Sequence, residues 1–287
     1  MTKTRPAAVN RYGVVMASTK TRILRPPFKC HGGKSYLKHF VISQFPQGYE
    51  KLHYVEPFSG AASVLLNKRP GKREHLNDLH PGVAAVFESL RDQPGEFAKR
   101  LRSLTYSGET FNAALQLAAS STLSGIDLAV NEYTLRRMSR GGLKKDFAWS
   151  ERLRGGKPEG VNAWETALAL FPALSERLQA VTLSCLPALD VLREFNDGDV
   201  LAYLDPPYLH GTRVAKSAYE FEMSDDDHVE LCEAMLAFRG KVAVSGYDSP
   251  LYNEMLSGWG RAERKIANHS GQTKTKSTKT EVLWLNY

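Results

Sequence analysis

Short apolar runs alternate with segments of helical apolar spacing between residues 52 and 93. Short apolar runs indicate buried strands, whereas apolar residues every three or four positions indicate a helix. Pro81 opens the last segment, and proline is favoured at the first position of a helix. The predicted order is therefore strand, helix, strand, helix. The four segments are LHYVEPF, GAASVLLNK, HLND and PGVAAVFESL.

The same alternation returns from residue 180 to the end of the chain. Ser224 followed by Asp227 predicts the N-cap of a helix. Alternating strands and helices predict a mainly parallel sheet covered on both faces, and the last two strands have no helix between them, so one should be antiparallel. The segments are AVTLSCL, PALDVLREF, DVLAYL, SDDDHVELCEAMLAF, GKVAVSGY, SPLYNEML, GRAERKIA and EVLWLNY.

Residues 94–178 have a helical pattern that a Gly-rich basic segment interrupts. This predicts a mainly helical insertion into one α/β domain, which residues 23–93 and 179–287 form together. Residues 1–22 are basic, polar and weakly periodic, so we expect a flexible tail, with Met16 as an alternative start.

Charge and cysteine content narrow the class of protein. Lys and Arg outnumber Asp and Glu by 38 to 31, which favours a polyanionic partner. Cys30, Cys185 and Cys232 are far apart and form no C-x-x-C pair, so we expect reduced thiols and no metal. Because no apolar run reaches the roughly 18 residues of a membrane span, we expect a cytoplasmic protein without a membrane partner.

Two strand exits carry residues suited to a nucleoside. EPFSGAAS, residues 56–63, forms a tight turn around Gly60 whose backbone N–H groups could approach a ligand. It is not the dinucleotide fingerprint, because Gly60 is its one glycine, and this argues against NAD and FAD. Asp78 in NDLH ends the next strand, where an acid can bind ribose hydroxyls. The alternatives are a plain turn for Gly60 and a helix cap for Asp78.

The segment FKCHGGKSYL joins a Gly-Gly turn to a predicted amphipathic helix. Gly32 and Gly33 would let the backbone approach a ligand, and Lys34 could neutralise a carboxylate. An ordinary start of a helix is the alternative.

The segment LAYLDPPYLHG holds an acid, two prolines and a tyrosine directly after an apolar strand. Pro206 and Pro207 make this exit rigid and extended, which fixes the Pro206 carbonyl as an acceptor beside Asp205. Two acceptors next to the ring of Tyr208 suit the exocyclic amino group of a planar base, which has two N–H donors. A rigid strand exit without function is the alternative.

Six motifs, in this order, resemble those of the Dam-like DNA adenine-N6 methyltransferases, a family with phage-encoded members: KCHGGK, EPFSGAASVLLN, NDLH, LDPPY, VSGY and KTEVLWLNY. The resemblance implies a Rossmann-like methyltransferase sheet that transfers a methyl group from S-adenosylmethionine to the 6-amino nitrogen of a flipped-out adenine. It also implies a target-base pocket of Asp205, Pro206 and Tyr208, and it implies that the helical insertion, residues 94–178, recognises the target sequence. The implied methyl-donor residues are Cys30, Lys34, Glu56, Phe58, Gly60, Asp78 and Asp205.

Two positions depart from the family pattern. Cys30 stands where the family often has an aromatic residue, and Ala62 where it often has a second glycine. Both lie at the expected donor site, and neither departure affects the catalytic motif LDPPY.

Positive charge is concentrated in residues 136–157, with eight Lys or Arg against Asp146 and Glu151. Together with Phe147 and Trp149, this segment could follow a DNA groove, and a second basic stretch lies between the last two strands. A solvated basic loop is the alternative. The predicted nucleic-acid contacts are Arg136, Arg137, Arg140, Lys144, Lys145, Arg152, Arg154, Arg213, Lys274 and Lys276.

The sequence leaves two other functions open. The same pocket could accept the amino group of cytosine or of an RNA base, and the chain could bind DNA on an inactive methyltransferase scaffold. Double-stranded DNA is the expected partner, a restriction endonuclease encoded nearby is a further candidate, and a monomer or weak dimer is expected.

Overall fold

The computed structural model describes the chain from residue 23 onward, with four gaps. Most of the described strands and helices lie where the alternating pattern predicted them. The described ranges are 23–30, 32–120, 122–212, 220–267 and 278–287. The strands are β1 His53–Glu56, β2 Arg73–Asn77, β3 Leu153–Arg154, β4 Lys157–Pro158, β5 Val181–Ser184, β6 Val200–Leu204, β7 Lys241–Tyr247, β8 Gly260–Ala267 and β9 Thr278–Leu285.

Ten α-helices connect and cover these strands within the described part of the chain. Among them, no helix is both long enough and apolar enough to cross a bilayer. The helices are α1 Lys38–Ser43, α2 Pro81–Asp92, α3 Pro94–Arg102, α4 Gly108–Ala119, α5 Gly125–Met138, α6 Glu159–Leu168, α7 Phe171–Leu178, α8 Ala188–Glu194, α9 Asp225–Leu236 and α10 Pro250–Met255.

Seven strands form one sheet in the order β5-β2-β1-β6-β7-β9-β8. The first five are parallel, and β9 runs antiparallel to both of its neighbours. This confirms the predicted mostly parallel α/β fold with an antiparallel strand near the C-terminus. The chain order switches direction at β1, which has β2 on one side and β6 on the other, and ligands in such sheets bind at this point beyond the carboxyl ends of the strands.

Alternate residues of the central strands belong to two separate apolar cores, one on each face of the sheet. Tyr54 and Tyr203 belong to the first core, and Val55 and Leu204 to the second. Successive side chains of a strand point to opposite faces, so near-continuous apolar strands are buried on both sides. Covering both faces leaves the strand ends as the place where polar side chains can meet a ligand.

The helical region 94–178 shares the first core with the sheet. Phe97, Tyr133 and Phe171, from three of its helices, pack against one another with ring centroids 5.2–5.7 Å apart. Helix α5 also packs so closely on α2 that a Cβ at Gly82 would lie 2.7 Å from Glu132 Cγ. This close contact brings the C-terminal half of α5 to the carboxyl edge of the sheet.

The ends of two helices confirm the sequence prediction in detail. Helix α2 begins at Pro81, and α9 begins after Ser224, whose side chain forms a capping box with Asp227. Residues 151–158, predicted without strands, instead contain the small antiparallel hairpin β3-β4.

Two predicted helices are different in the structure. Residues 60–68 of the described chain form a series of turns rather than a helix, with Ala62 at φ +53°. Lys34 lies in a single 3-10 turn, Lys34–Tyr36, and the α-helix begins only at Lys38. In the first of these places the Glu56 side chain takes the Leu65 N–H, which a regular helix would use for its own hydrogen bonding.

Candidate active site

A cavity of about 210 Å³ lies at the carboxyl ends of the central parallel strands. Phe58 and Gly60 follow β1, Asp78 follows β2 and Asp205 follows β6, and all four line this cavity. Residues 142–144 and 220–223 line it as well. The structure therefore brings together residues that the sequence predicted at three separate strand exits.

Asp78 and Gly60 are joined directly. Asp78 Oδ2 accepts a hydrogen bond from the backbone N–H of Gly60 at 2.8 Å, and Oδ1 accepts one from the N–H of His80 at 3.0 Å. Gly60 has φ +48°, a left-handed conformation that favours glycine. Burial raises the pKa of Asp78. The cap of α2 is His80 itself, because its Nδ1 accepts from the Gly82 N–H.

Glu56 organises the turn after β1 from inside the core. Its Oε2 accepts hydrogen bonds from the Tyr54 hydroxyl at 2.7 Å and from the Leu65 N–H at 3.1 Å. Burial raises the pKa of this carboxyl to about 8. Because Glu56 takes the N–H of Leu65, it helps to explain why residues 60–68 form turns instead of the predicted helix. Glu56 also lines the cavity.

Lys34 is buried between two carboxylates of the protein. Its ammonium lies 2.5 Å from Asp205 Oδ1 and 3.6 Å from Glu281 Oε1, and the residue is 5% exposed. Burial opposes the charged form, but Asp205 and Glu281 outweigh it and hold the pKa of Lys34 well above its usual value. The carboxylates that Lys34 neutralises in this structure are therefore those of the protein, Asp205 and Glu281.

Tyr208 does not present an open aromatic face. The residue is 7% exposed, its hydroxyl donates a hydrogen bond to Glu281, and the Lys34 ammonium lies 4.7 Å from its ring centroid. Tyr208 and Pro206 line a separate cleft of about 10 Å³, whereas Asp205 and Pro207 line the large cavity. A cleft of this size holds about one water, so a base could stack on Tyr208 only after neighbouring side chains move.

Two residues predicted to contact DNA turn into the cavity instead. Arg136 is 8% exposed, and its Nε donates to Glu132 Oε1 at 2.5 Å. Lys144 donates to both oxygens of Glu132, at 3.1 and 3.3 Å, and pairs with Glu220 Oε1 at 2.5 Å. Both side chains are paired at the cavity wall with the buried Glu132, and Lys144 also pairs with the exposed Glu220.

His80, Glu132 and Glu220 together have the donor atoms of a metal site, all within 4.8 Å of one another. The ammonium of Lys144 lies among them, 3.1 Å from His80 Nε2. His80 Nδ1 accepts from a backbone N–H, so its ring proton is on Nε2, facing Glu220 rather than offering a lone pair. Lys144 and Arg136 together supply the two positive charges opposite Glu132 and Glu220. The contacts of Glu220 with His80 and Lys144 hold residue 220 at the cavity wall.

The remaining predicted nucleic-acid residues divide into three groups. Arg140, Lys145, Arg152 and Arg154 are exposed, the last beside the turn of the β3-β4 hairpin. Arg137 is partly buried and donates to the Ala163 carbonyl at 2.6 Å. Arg213, Lys274 and Lys276 lie outside the described residues.

Several residues of the site were not predicted from the sequence. Ser245 donates to Asp205 Oδ1 at 2.9 Å, and Glu281 accepts from Tyr208. Glu281 precedes four buried apolar residues of β9, and an acid in such a strand signals a buried partner. Glu132 and Arg136 are four residues apart on α5, the spacing of a helical ion pair.

Fold and site together define an α/β protein with a polar-edged ligand cavity at the carboxyl ends of its parallel strands. The sequence model of the D12 class N6 adenine-specific DNA methyltransferases matches residues 31–273. The match covers most of the chain, and the chain belongs to this family, as the six motifs predicted. A search of curated protein sequences finds no significant match.

Solved structures with a similar fold share little sequence with this chain. The rRNA methyltransferase aviRa from Streptomyces viridochromogenes is 12% identical, with a TM-score of 0.39 and 97% of each chain covered. A putative RNA methyltransferase, PH1948 from Pyrococcus horikoshii, is 10% identical, with a TM-score of 0.36 and coverage of 90% of this chain and 84% of that chain. Similarities this remote do not identify a substrate for this chain.

Proposed function

We propose that this chain transfers a methyl group from S-adenosylmethionine to the 6-amino nitrogen of adenine in double-stranded DNA. Family membership supports the reaction class. The observation that carries the proposal is that Asp205 lines the same cavity as Gly60 and Asp78. An acceptor for the amine and a site for the donor are then neighbours, as methyl transfer between the two requires.

The residues around the cavity fit S-adenosylmethionine. Asp78 already accepts two backbone hydrogen bonds and one from the Ser59 hydroxyl, but a carboxylate has about four acceptor positions, so a ribose hydroxyl can still bind it. Phe58, Val64 and Val83 supply apolar wall around the same space. When bound, S-adenosylmethionine supplies an electrophilic methyl group on a positively charged sulfur.

Asp205 and the Pro206 carbonyl would activate the amine by accepting one hydrogen bond each from its two N–H groups. Within the described chain, Lys34 and Ser245 both donate to Oδ1 of Asp205, so an incoming amino group would meet Oδ2. Two acceptors increase the electron density on the nitrogen as it attacks, and they need no separate strong base beforehand. As the bond from nitrogen to the methyl carbon forms, the bond from that carbon to sulfur would break and S-adenosylhomocysteine would leave. The nitrogen would then lose one proton, to Asp205 Oδ2 or to water.

The target base must leave the duplex to reach Asp205, at a cost of a few kcal/mol. The cleft beside Tyr208 is too small for a base, so binding would also shift the Lys34 ammonium from the Tyr208 ring. Stacking on the uncovered ring, worth about 1–3 kcal/mol, would offset part of the cost.

The exposed basic residues of the helical region would hold the DNA. Arg140, Lys145, Arg152 and Arg154 are exposed, and the last two flank or belong to the β3-β4 hairpin. Their charges can contact phosphates, and arginines can also bind guanine edges. This supports region 94–178 as the target-recognition part of the chain.

Transfer of a labelled methyl group from S-adenosylmethionine to duplex DNA tests the proposal. The parent and Asp205→Ala would be compared, with Asp190→Ala, an exposed acid on α8, as the matched control. We expect label in 6-methyladenine after digestion to nucleosides, unchanged with Asp190→Ala and lowered by about 100-fold or more with Asp205→Ala.

Three results would contradict the proposal in different ways. Label in methylcytosine or only in RNA would leave the reaction class and change the substrate. DNA binding without any transfer would indicate an inactive scaffold. Equal transfer by the parent and Asp205→Ala would remove Asp205 from its assigned role.

A further inference from the structure

Three basic side chains of the described chain line the large cavity: Lys34, Arg136 and Lys144. They differ in how many of their N–H donors already have an acceptor in the protein. Lys34 donates to Asp205 and to the Gly32 carbonyl and lies near Glu281. An ammonium has three donors, so these contacts account for it. Lys144 is likewise surrounded, by both oxygens of Glu132 and by Glu220. Neither lysine is poised to bind an anion in the cavity.

Arg136 differs because Glu132 accepts a hydrogen bond from Nε only, and not from the terminal nitrogens of the guanidinium. Nε donates to Glu132 Oε1, and Nη1 lies 3.8 Å from Cys30 Sγ. A thiol is a weak acceptor, and burial raises the pKa of Cys30 to about 11, so the sulfur carries no charge near neutral pH. The fork of terminal N–H groups is the part of arginine that binds a carboxylate with two parallel hydrogen bonds. Among the described residues it forms no hydrogen bond to a carboxylate, although Glu220 and Asp78 lie near enough to interact with its charge.

Arg136 is also largely buried, and it lines the cavity. The residue is 8% exposed, and its guanidinium carbon lies 5.5 Å from the centroid of the Phe28 ring. Glu132 already supplies a counter-charge, but N–H donors removed from bulk water also require acceptors, and the terminal N–H groups meet only the weak acceptor Cys30 Sγ. A side chain in this state that lines a ligand cavity points to an anionic group on the ligand.

The location of Arg136 selects which part of the donor it would meet. Cys30 Sγ, the neighbour of Arg136 Nη1, lies 3.3 Å from the position a Cβ would take on Gly60. The Cys30 thiol therefore lies between the guanidinium and the turn after β1. S-adenosylmethionine has one carboxylate, at its amino-acid end, and the adenosine end has no anionic group.

We infer that Arg136 binds the α-carboxylate of the methyl donor. The inference rests on the proposed function. Glu132 acts as the positioning residue, because its bond to Nε orients the fork toward the cavity. The substrate class of the cavity is then a nucleoside with an amino-acid end, rather than a nucleoside alone.

Two ligands that lack the transferable methyl group test this inference without a catalytic step. Their affinities for the full-length protein are measured by calorimetry. S-adenosylhomocysteine has the carboxylate, and its decarboxylated analogue keeps the amine and lacks only that group. We expect the parent to bind S-adenosylhomocysteine about tenfold or more tightly than the analogue, as for a charged hydrogen-bonded pair. With Arg136→Gln this preference should fall to nearly none, while affinity for the analogue changes little.

Two further variants make the comparison specific. Arg136→Lys retains the charge beside Glu132 but not the fork, so it should keep a reduced preference, and it carries the test if Arg136→Gln does not fold. Arg100→Gln, an exposed arginine of α3 paired with Glu96 and Asp127, should keep the full preference. Melting temperatures without ligand check the folding of each variant.

The outcomes separate this inference from the proposed function. If the parent binds S-adenosylhomocysteine and Arg136→Gln or Arg136→Lys keeps the parent's full preference, Arg136 does not bind the carboxylate. An equal loss of affinity for both ligands would assign Arg136 a structural role instead and also overturn the inference. If the parent binds neither ligand, the proposed function fails, and the inference fails with it.

Discussion

The ammonium nitrogen of Lys34 lies 2.5 Å from Asp205 Oδ1, although 171 residues separate the two along the chain. Ser245 donates to the same oxygen, so both of these bonds fix one side of the carboxylate. The contact links the segment before α1 to the exit of β6. Any ligand that reaches Asp205 therefore meets a carboxylate that is already oriented and has a cation beside it.

The hydroxyl and the ring of Tyr208 should contribute differently. Tyr208→Phe removes the hydrogen bond to Glu281, whose pKa burial already raises, so the free energy of unfolding should fall by about 1–3 kcal/mol. The ring remains, so methyl transfer should stay within about tenfold of the parent, whereas Tyr208→Ala also loses stacking worth about 1–3 kcal/mol. Urea unfolding and labelled methyl transfer measure the two effects, and equal activity of both variants would exclude stacking.

Salt dependence of DNA binding should separate exposed from buried arginines. Each phosphate contact contributes about 0.9 to the slope of log affinity against log salt. Replacing Arg152 and Arg154 by Gln should therefore flatten the slope by about 1.8 if both contact phosphates. Arg136→Gln should leave the slope unchanged, because the residue is buried beside Glu132. Fluorescence anisotropy at several salt concentrations measures the slopes, and a flatter slope for Arg136→Gln would contradict the burial argument.

The fold could be predicted from the sequence because it depends on short-range patterns. The apolar runs of the parallel strands and the start of α2 at Pro81 are local features that pattern and propensity indicate. The turns at residues 60–68 could not be predicted this way. Their small and apolar residues favour a helix, but Glu56 takes the N–H of Leu65, and this contact forms only when the chain is folded.

The site residues that belong to short sequence motifs could be predicted from the sequence. Those placed by the packing of one helix on another could not. Gly60, Asp78 and Asp205 follow strands, and the carboxyl ends of parallel strands meet at one edge of the sheet. The position of Arg136 depends on how α5 packs on α2, which no local pattern specifies. Its basic neighbours made it resemble a DNA contact, whereas the Glu132 spacing was the signal for an internal ion pair.

Glu56 should make stability depend on pH between its two pKa values. The ordinary pKa is 4.5 and the value in the folded chain is about 8, so between them the folded state keeps a proton that the unfolded state releases. The contribution is fully present below pH 4.5 and is lost as pH rises through about 8. Glu56→Gln should remove this loss, because the amide oxygen can accept both bonds that Oε2 now accepts.

The comparison for Glu56 is the change in the free energy of unfolding between pH 5 and pH 8.5. At about 1.4 kcal/mol for each unit of pKa difference, the parent should lose about 2 kcal/mol or more relative to Glu56→Gln. Chemical unfolding of both proteins across this range measures it, and subtraction removes groups common to both. Parallel pH profiles would show that Glu56 does not keep its proton in the folded chain.

Gly142 and Gly141 form a matched pair for the wall of the cavity. Both have positive φ, +76° and +61°, so alanine is strained by the backbone at either position. A Cβ on Gly142 would lie 2.1 Å from the Lys29 carbonyl oxygen, whereas on Gly141 the nearest atom is 4.0 Å away. Gly142→Ala must therefore displace the segment that leads to Cys30, and Gly141→Ala need not.

We expect Gly141→Ala to cost about 1–2 kcal/mol of unfolding free energy from backbone strain alone. Gly142→Ala should cost several kcal/mol, as overpacking adds about 1–3 kcal/mol, and should also weaken binding of S-adenosylhomocysteine because the Cys30 wall of the cavity moves. Urea unfolding and calorimetry on both variants make the test. Equal losses of stability would mean that residues 29–30 can yield to the added methyl group, and that this wall of the cavity is not fixed by its contact with Gly142.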